Sequence, residues 1–391
     1  MALPLKRGRL MRLERFIIVT ALLGVGTSGI AQSVLPMTHD GLSPIKTCAL
    51  RRESVQVALP GFVSAAEIVM PPTAVPRGLL ILFAGSDVAD MDGAIEGKGG
   101  AIVSRPMRQI ADRLACAGFA TLRYNKRYVT GPTTVDRDKF DALDGKDLAS
   151  DGRAAVKFAR SRPGFALLPL GLLGWSEGTT VAMSVASAEP AVRALVLMAP
   201  VIDSSAHVAQ QQYGRIGKPY LQQFATNGAL DAKAIALAGA GPGGDLAQIF
   251  VRMFRGFQPG ETLNPLLDTN HDGRISFAEA DPIIAGWYAD KPGSGLGIST
   301  TGRALPGVSS AFTQHTPPML ILQGLNDSMI GPEAALQFAA RPEAQGRVKL
   351  IIYKGLGHSL GLTRSAQEDA LMPVETEPLN DLVVWVRRML R

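Results

Sequence analysis

Several features are scarce in this sequence of 391 residues, and each scarcity removes a class of protein. No internal repeat is present, which argues against propeller and solenoid architectures. Beyond the first 15 residues no cluster of lysine and arginine with interleaved aromatic residues is present, so nucleic-acid binding is not expected. Beyond residue 31 no apolar run reaches the roughly 20 residues that a membrane span needs.

Cysteine is nearly absent, since Cys48 and Cys116 are the only two. In an oxidising compartment they can form a disulfide that ties an N-terminal arm to a helix predicted over 105–118. The alternative is a free, buried Cys116 and an unrelated Cys48. The sequence leaves both open, because the distance between two cysteines cannot be read from it.

Positive charge is concentrated at the start of the chain. Residues 1–15 carry five basic residues and one acidic residue, a net +4, which leaves +2 of the total +6 for the remainder. The apolar stretch over 16–31 ends in Gly29 and Ala31, small residues at the −3 and −1 positions of a cleavage site. This pattern predicts a signal peptide over 1–31. A retained anchor is the alternative, although the stretch is short for a span.

A cleaved signal peptide predicts a periplasmic or secreted protein that has no stable membrane span after cleavage. The absence of cysteine directly after the apolar stretch argues against a lipid anchor.

Beyond an irregular lead-in over 32–53, apolar strand-like runs alternate with helical patterns. Predicted strands cover 54–59, 62–70, 78–83, 119–124, 167–173, 192–198, 319–322 and 348–353. Predicted helices lie between them at 106–117, 146–160 and 179–188. The first two strands, joined at Pro60 and Gly61, are expected to pair antiparallel. Alternating strands and helices otherwise predict a mostly parallel sheet flanked by helices.

The pentapeptide Gly-Trp-Ser-Glu-Gly at 174–178 stands between a predicted strand and a predicted helix. A serine at such a sharp turn is held in a strained backbone conformation with its hydroxyl pointing out of the sheet, and flanking glycines let strand and helix approach closely. Residues 357–361 match the same Gly-x-Ser-x-Gly pattern. No histidine lies beyond His358, however, so Ser359 cannot be followed by a catalytic base.

Ser176 is followed by the partners that such a serine requires. Asp327 comes after the predicted strand 319–322, and His358 after the predicted strand 348–353. Sites of open α/β sheets lie at the carboxyl ends of strands. Asp203 is an alternative acid, because it follows the strand over 192–198.

With these residues the sequence resembles the α/β-hydrolase superfamily, and within it the esterase-like serine hydrolases with a Gly-x-Ser-Glu-Gly turn. The resemblance covers residues 54–203 and 316–391. It implies that Ser176 is the nucleophile, Asp327 the acid and His358 the base. It also implies an oxyanion hole formed by the backbone N–H groups of Glu177 and Ser86.

Two further positions near the implied site admit different interpretations. Lys126 and Arg127 follow the strand over 119–124 and either line the edge of the site or remain solvated. The side chain of Glu177 is expected to fix the turn by hydrogen bonds.

From 204 to 315 the alternation of strands and helices ends. Helical patterns there cover 206–226, 231–237, 246–257 and 277–289. They predict a helical cap that shapes the substrate pocket. Within it, residues 268–279 match the twelve-residue EF-hand loop. The predicted Ca²⁺ ligands are Asp268, Asn270, Asp272, the carbonyl of Arg274, Ser276 through water and Glu279, with Gly273 at the sharp turn. A single such loop predicts a structural Ca²⁺ that rigidifies the cap.

The sequence therefore predicts an exported serine hydrolase that cleaves small-molecule carboxylic esters through an acyl-enzyme on Ser176, with no cofactor for catalysis. The hydrolase core would consist of residues 54–203 and 316–391, with the cap at 204–315 inserted between them in sequence. A serine peptidase of the same fold is one alternative, and a non-catalytic calcium-dependent binding module is another.

Overall fold

A computed structural model describes residues 48–391 except 74, 87, 98, 133, 259 and 289–303. The predicted signal peptide over 1–31 and most of the predicted lead-in lie outside the described residues. Strand β1 begins at Arg51, so the last residues of the lead-in are strand and not irregular.

The described residues contain twelve strands. They are β1 (Arg51–Leu59), β2 (Phe62–Met70), β3 (Leu79–Phe83), β4 (Ile95–Glu96), β5 (Ile102–Ser104), β6 (Ala120–Tyr124), β7 (Leu170–Trp175), β8 (Val192–Met198), β9 (Ala229–Asp231), β10 (Arg274–Ser276), β11 (Met319–Gly324) and β12 (Val348–Tyr353).

Helices connect most of these strands. They are α1 (Pro106–Cys116), α2 (Arg137–Phe140), α3 (Gly145–Ser161), α4 (Gly178–Ala188), α5 (Ser205–Gln212), α6 (Lys218–Gln222), α7 (Ala232–Ala240), α8 (Asp245–Arg255), α9 (Phe277–Trp287), α10 (Val308–Ala311), α11 (Glu333–Ala339) and α12 (Thr376–Met389). A π-helical turn, Tyr213–Gly217, joins α5 to α6.

Eight strands form one sheet in the order β1-β2-β6-β3-β7-β8-β11-β12. From β6 to β12 neighbouring strands pair in parallel, whereas β2 pairs antiparallel with both β1 and β6. The central strands β3, β6, β7 and β11 are buried along their whole length, as expected for strands covered on both faces. The predicted mostly parallel sheet is confirmed.

Helices cover both faces of the sheet and form one apolar cluster with each. Residues of α3 and α4 belong to the cluster on one face, and residues of α1 and α12 belong to the cluster on the other. Local sequence fixes where these helices start. Pro106 occupies the first turn of α1, where its missing N–H costs nothing, and Asp144 with Asp147 forms a capping box at α3.

A helical insertion lies between β8 and β11, which are neighbours in the sheet. Its two ends are hydrogen-bonded to each other: Val308 N–H donates to the Val201 carbonyl at 2.9 Å, and Ser309 N–H donates to the Ile202 carbonyl at 2.8 Å. A Cβ atom on Gly307 would overlap the Asp203 carbonyl, so the backbones of the two segments touch at this point. We call the described residues between these ends the cap.

The cap has an apolar core of its own, to which α5 through α9 contribute. Inside it β9 pairs antiparallel with β10, and Leu230 lies opposite Ile275. Each of these strands leads into a helix capped by a polar side chain, Asp231 for α7 and Ser276 for α9. The predicted helix over 206–226 is interrupted by the π-helical turn. Pro219, which has no N–H, lies just after that turn.

No described helix is both long enough and apolar enough to cross a membrane.

The two cysteines form a disulfide, so the structure decides between the alternatives that the sequence left open. Cys48 precedes β1, and Cys116 is the last residue of α1. The bond closes a loop with a sequence separation of 68 residues and fastens the segment before β1 to the helical layer.

We predict that the Cys48→Ser/Cys116→Ser double variant unfolds at a temperature roughly 5 °C lower than the oxidised wild type. A closed loop of this size restricts the unfolded chain and contributes about 2–4 kcal/mol. Thermal melts with and without dithiothreitol measure the effect. Reductant should lower the wild-type transition towards that of the double variant and leave the variant unchanged. Equal melting temperatures under oxidising conditions would contradict the prediction.

Candidate active site

Ser176 occupies the turn between β7 and α4 in a left-handed backbone conformation, with φ at +55°. Such a conformation is uncommon for a residue other than glycine, and at a functional site it marks a strained turn. Two hydrogen bonds hold it: Ser176 N–H donates to the Met198 carbonyl at 2.9 Å, and Thr179 Oγ1 donates to the Ser176 carbonyl. The turn therefore has the geometry predicted for residues 174–178.

The two flanking glycines are required by space. A Cβ atom on Gly174 would overlap the carbonyl of Gly178, and a Cβ atom on Gly178 would overlap the carbonyls of Phe83 and Ala84. Strand β7, helix α4 and the end of β3 thus meet backbone to backbone around Ser176. No residue with a side chain fits at either position without moving one of these three elements.

Asp327 and His358 form a buried acid–base pair at the ends of β11 and β12. Nδ1 of His358 lies 3.0 Å from Oδ1 and 2.9 Å from Oδ2 of Asp327, and Asp327 is fully buried. The carboxylate also accepts the Ile330 N–H at 2.8 Å and the Gln323 side-chain amide at 2.9 Å. These donors fix the acid while it orients the imidazole.

The histidine and the serine turn are connected through Trp175, which precedes Ser176. The indole N–H of Trp175 donates to the His358 carbonyl at 3.0 Å, and the two ring centroids are 5.5 Å apart. Because β7, β8, β11 and β12 are consecutive in the sheet, the structure brings Ser176, Asp327 and His358 to the same carboxyl edge. All three are buried beneath the surface.

The two predicted oxyanion donors belong to segments next to the serine. Glu177 stands at the start of α4, where the first N–H groups have no acceptor within the helix. Ser86 follows Gly85 in the loop after β3, and a Cβ atom on Gly85 would lie 3.5 Å from the Ser176 Cβ. The loop therefore runs directly beside the serine.

Lys126 and Arg127 are buried, so the interpretation as solvated charges is wrong. Lys126 Nζ lies 2.7 Å from Glu177 Oε2, and Arg127 Nε lies 2.9 Å from both carboxylate oxygens of the buried Asp151. The Glu177 side chain thus holds the turn through an ion pair with Lys126. Burial was not readable from the sequence, because both charges follow a strand in the manner of an exposed loop.

Asp203, the alternative acid, is exposed and faces His207 at 3.7 Å. The structure thus pairs His358 with Asp327.

A second buried carboxylate, Asp369, was missed by sequence reasoning. Its Oδ2 accepts hydrogen bonds from the backbone N–H of His358 at 2.8 Å, from the backbone N–H of Ser328 at 3.1 Å and from the Ser328 hydroxyl at 3.0 Å. Burial raises the pKa of Asp369, the nearby charge of Asp327 raises it further, and the N–H donors oppose both effects. Asp369 lies in an irregular segment, and no motif distinguishes it from other acidic residues.

The cap contacts the segment that carries the acid. Arg215, in the π-helical turn, donates to the backbone carbonyls of Asp327 and, at 3.2 Å, Ser328. Gln212 donates to the Met329 carbonyl at 3.0 Å, and the Met329 side chain packs against the core of the cap. The cap is therefore anchored next to the acid–base pair.

The predicted calcium loop folds back on itself between α8 and α9. Asp268 accepts the N–H groups of Asp272 and Gly273, each at 3.2 Å, and Gly273 has φ at +79°. Glu279 Oε1 accepts the Asn270 N–H at 3.3 Å, which brings the twelfth residue back to the third. Among the described residues, no three acidic, histidine or cysteine side chains converge as a preformed metal site.

The ends of the loop are fixed by short-range hydrogen bonds. Arg274 N–H donates to Asp272 Oδ1 at 2.9 Å, and the Ser276 hydroxyl donates to Glu279 Oε2 at 2.7 Å. The Ser276 side-chain and backbone hydrogen bonds lower the pKa of Glu279 to about 2.

Asp245, the first residue of α8, is a further titratable group at the contact between the cap and the sheet domain. Its N–H donates to the Asp369 carbonyl at 3.1 Å. Burial raises the pKa of Asp245 to about 6, the charge of Asp369 adds to this effect, and Arg252 opposes it. Because the folded-state pKa exceeds the ordinary value of 3.8, the contribution of Asp245 to stability is present below about pH 4 and lost as the pH rises through about 6.

We predict that Asp245→Asn stabilises the protein at pH 8 by up to about 3 kcal/mol and has little effect at pH 4, because asparagine cannot ionise. Thermal melts at the two pH values measure the difference. Asp138→Asn, an exposed acid in the first turn of α2, is the matched control and should show no such gain. A gain for Asp245→Asn of equal size at both pH values would show that ionisation is not its cause.

Solved structures resemble this chain at low sequence identity. An esterase from Pyrococcus furiosus is 14% identical, with a TM-score of 0.47, over 97% of this chain and 100% of the other. A dienelactone hydrolase from Anabaena variabilis is 16% identical, with a TM-score of 0.44, over 88% of this chain and 99% of the other. A thermostable carboxylesterase from a metagenomic library is 16% identical, with a TM-score of 0.45, over 87% of this chain and 90% of the other.

No curated protein matches the chain. A protein-family model does match: the model described as serine aminopeptidase, S33, covers residues 98–362, which is more than half of the chain. The matched range contains Ser176, Asp327 and His358. With its mostly parallel sheet, flanking helices and helical cap, the chain has the α/β-hydrolase fold and belongs to the serine aminopeptidase S33 family of hydrolases.

Proposed function

We propose that the protein is a serine hydrolase that cleaves carboxylic esters through an acyl-enzyme on Ser176. The observation that carries the proposal is the strained serine turn at the same sheet edge as the buried Asp327–His358 pair. Membership of a hydrolase family supports the reaction class. The cap, anchored beside the pair, is the element that would define the acyl or alcohol pocket.

In the proposed reaction His358 removes the proton of Ser176 as its oxygen attacks the ester carbonyl. Asp327, hydrogen-bonded to Nδ1, would direct the other ring nitrogen towards the serine and would stabilise the positive imidazole. His358 then donates the proton to the departing alcohol. Water, activated by the same imidazole, attacks the acyl-enzyme and releases the acid.

The negative oxygen formed in each step would be held by the N–H groups of Glu177 and Ser86. One such donor is typically worth about 3 kcal/mol in the transition state. The dipole of α4, which begins at this point, adds favourable potential. Lys126 would hold the Glu177 side chain away from the developing negative charge.

Cleavage of peptides at the N-terminus is the second candidate, and the family to which the chain belongs favours it. Recognition of a free amino terminus requires a carboxylate close to the nucleophile. The nearest along the chain, Glu177, is already paired with Lys126 at 2.7 Å. This pairing weighs against Glu177 as that carboxylate, and esters remain the first proposal.

We predict that the wild type releases one equivalent of p-nitrophenol from p-nitrophenyl butyrate in a burst and then turns over steadily. Ser176→Ala should abolish the burst and lower kcat by about 10⁴-fold or more, since the acyl-enzyme cannot form. Stopped-flow absorbance at saturating substrate measures both quantities.

Ser359→Ala is the matched control, because Ser359 belongs to the second Gly-x-Ser-x-Gly pattern and its hydroxyl donates a hydrogen bond to the Met372 carbonyl. It should retain the burst. An alanine p-nitroanilide cleaved faster than the ester would favour the peptidase candidate. Loss of the burst in Ser359→Ala but not in Ser176→Ala would remove the proposed nucleophile.

We also propose that the loop over 268–279 binds Ca²⁺. Its residues fit the ion by donor chemistry: Asp268, Asp272 and Glu279 would supply carboxylate oxygens, Asn270 an amide oxygen, Arg274 a carbonyl and Ser276 a water-mediated contact. The left-handed Gly273 supports the fit, as does the return of Glu279 to Asn270. Bound Ca²⁺ would neutralise clustered charge and stiffen the cap, and it takes no part in the proposed reaction.

We expect 5 mM CaCl₂ to raise the melting temperature of the EDTA-treated protein, with a gain of about 2 kcal/mol for a dissociation constant near 10⁻⁴ M. Asp268→Asn should lose most of this shift. Asp231→Asn, which removes one charge at the end of the neighbouring strand β9 and can still cap α7, is the control and should keep it. Equal shifts in the two variants, or none in the wild type by calorimetry, would remove the calcium proposal.

Export to the periplasm or the medium is likewise proposed. The Cys48–Cys116 disulfide supports it, because disulfides persist in oxidising compartments.

A further inference from the structure

Asp369 joins the two loops that carry the acid and the base. A single carboxylate oxygen, Oδ2, accepts the backbone N–H groups of His358 and of Ser328, the residue directly after Asp327. The same oxygen accepts the Ser328 hydroxyl. The residue is only 1% exposed. Because His358 and Ser328 bind the same oxygen, a shift of Asp369 changes the position of the imidazole relative to its acid.

The Asp369 carboxylate is closely packed and hydrogen-bonded. A Cβ atom on Gly357 would overlap the Asp369 carboxylate, so the residue before the histidine has no space for a side chain. The other carboxylate oxygen, Oδ1, accepts the Leu371 N–H at 3.2 Å. A buried carboxylate is costly unless it is hydrogen-bonded, and here its oxygens accept four hydrogen bonds.

The backbone of the same residue supports the cap. Asp245 N–H donates to the Asp369 carbonyl at 3.1 Å, and Gly244 N–H donates to the Gln367 carbonyl at 2.8 Å. A Cβ atom on Gly244 would overlap the Asp369 backbone. The start of α8 therefore rests directly on the residue that binds the histidine.

We propose that Asp369 is a positioning residue for the acid–base pair. Its side chain fixes the Asp327 and His358 loops relative to each other, and its backbone contacts the start of α8 in the cap. The proposal rests on the serine hydrolase function proposed above. Asparagine has a similar size, but its amide group is neutral and has one acceptor oxygen in place of two.

The test compares Asp369→Asn with Asp381→Asn. Asp381 is another buried acid, on α12, and accepts the Tyr353 hydroxyl at 2.9 Å. Asp369→Asn should lower kcat for p-nitrophenyl butyrate by about 10- to 100-fold with KM within about threefold, because a small misplacement of a catalytic group acts on the chemical step. Asp381→Asn should keep kcat within about threefold.

A second readout is the downfield proton resonance of the hydrogen bond between His358 Nδ1 and Asp327, which requires no turnover. It should broaden or vanish in Asp369→Asn and persist in Asp381→Asn. If Asp369→Asn keeps both the wild-type kcat and the resonance, or if Asp381→Asn behaves in the same way as Asp369→Asn, the positioning role is wrong. A wild type that cleaves neither ester nor anilide would contradict the proposed function. The resonance would still decide the role of Asp369 in that case.

Should Asp369→Asn not fold, Ser328→Ala replaces it. This variant removes one of the three hydrogen bonds to Oδ2 and retains the carboxylate. A loss of about threefold or more in kcat, together with faster exchange of the downfield proton, is expected. Wild-type values for both would overturn the proposal.

Discussion

The backbone contact between β7, α4 and the end of β3 is the constraint on which the site depends. At Gly174 and Gly178 three chain segments approach so closely that no Cβ atom fits, and Ser176 between them is held in a left-handed conformation. Such strain persists only where surrounding structure fixes it. Here the fixing comes from the sheet itself, through the bond from Ser176 to β8 and the buried strands on both sides.

Near this turn several charged side chains are buried, and each of them forms an ion pair with a side chain of opposite charge. Lys126 pairs with Glu177 and Arg127 with Asp151, and the fully buried Arg123 bridges Glu67 and Asp92. An unpaired charge at this depth would be strongly destabilising, whereas a paired one mainly imposes a specific arrangement. The polar layer thus fixes the loops after β3 and β6 relative to the serine turn.

Much of the fold was predictable because the buried parallel strands are continuous apolar runs with clear ends. Strand β12 and strand β8 have the bounds that the sequence predicts, and Asp327 and His358 lie in the loops that follow β11 and β12. Short elements such as the β4–β5 hairpin and the π-helical turn escaped prediction, because they depend on tertiary packing more than on periodicity. Asp369 escaped for the same reason: its partners come from two other loops, and nothing in its own neighbourhood of sequence indicates them.

The cap begins and ends on neighbouring strands, and its two ends form a backbone clasp between Val201 and Val308 and between Ile202 and Ser309. This clasp lies beside the parallel pairing of β8 with β11, in which Leu195 is opposite Met319 and Met198 is opposite Leu322. Sequence can therefore diverge, lengthen or be exchanged within the loop without disturbing sheet register. Substrate choice can vary through cap residues that do not touch the sheet domain, whereas Gln212, Arg215 and Gly244 contact the segments of the acid and the base and couple the cap to the catalytic framework.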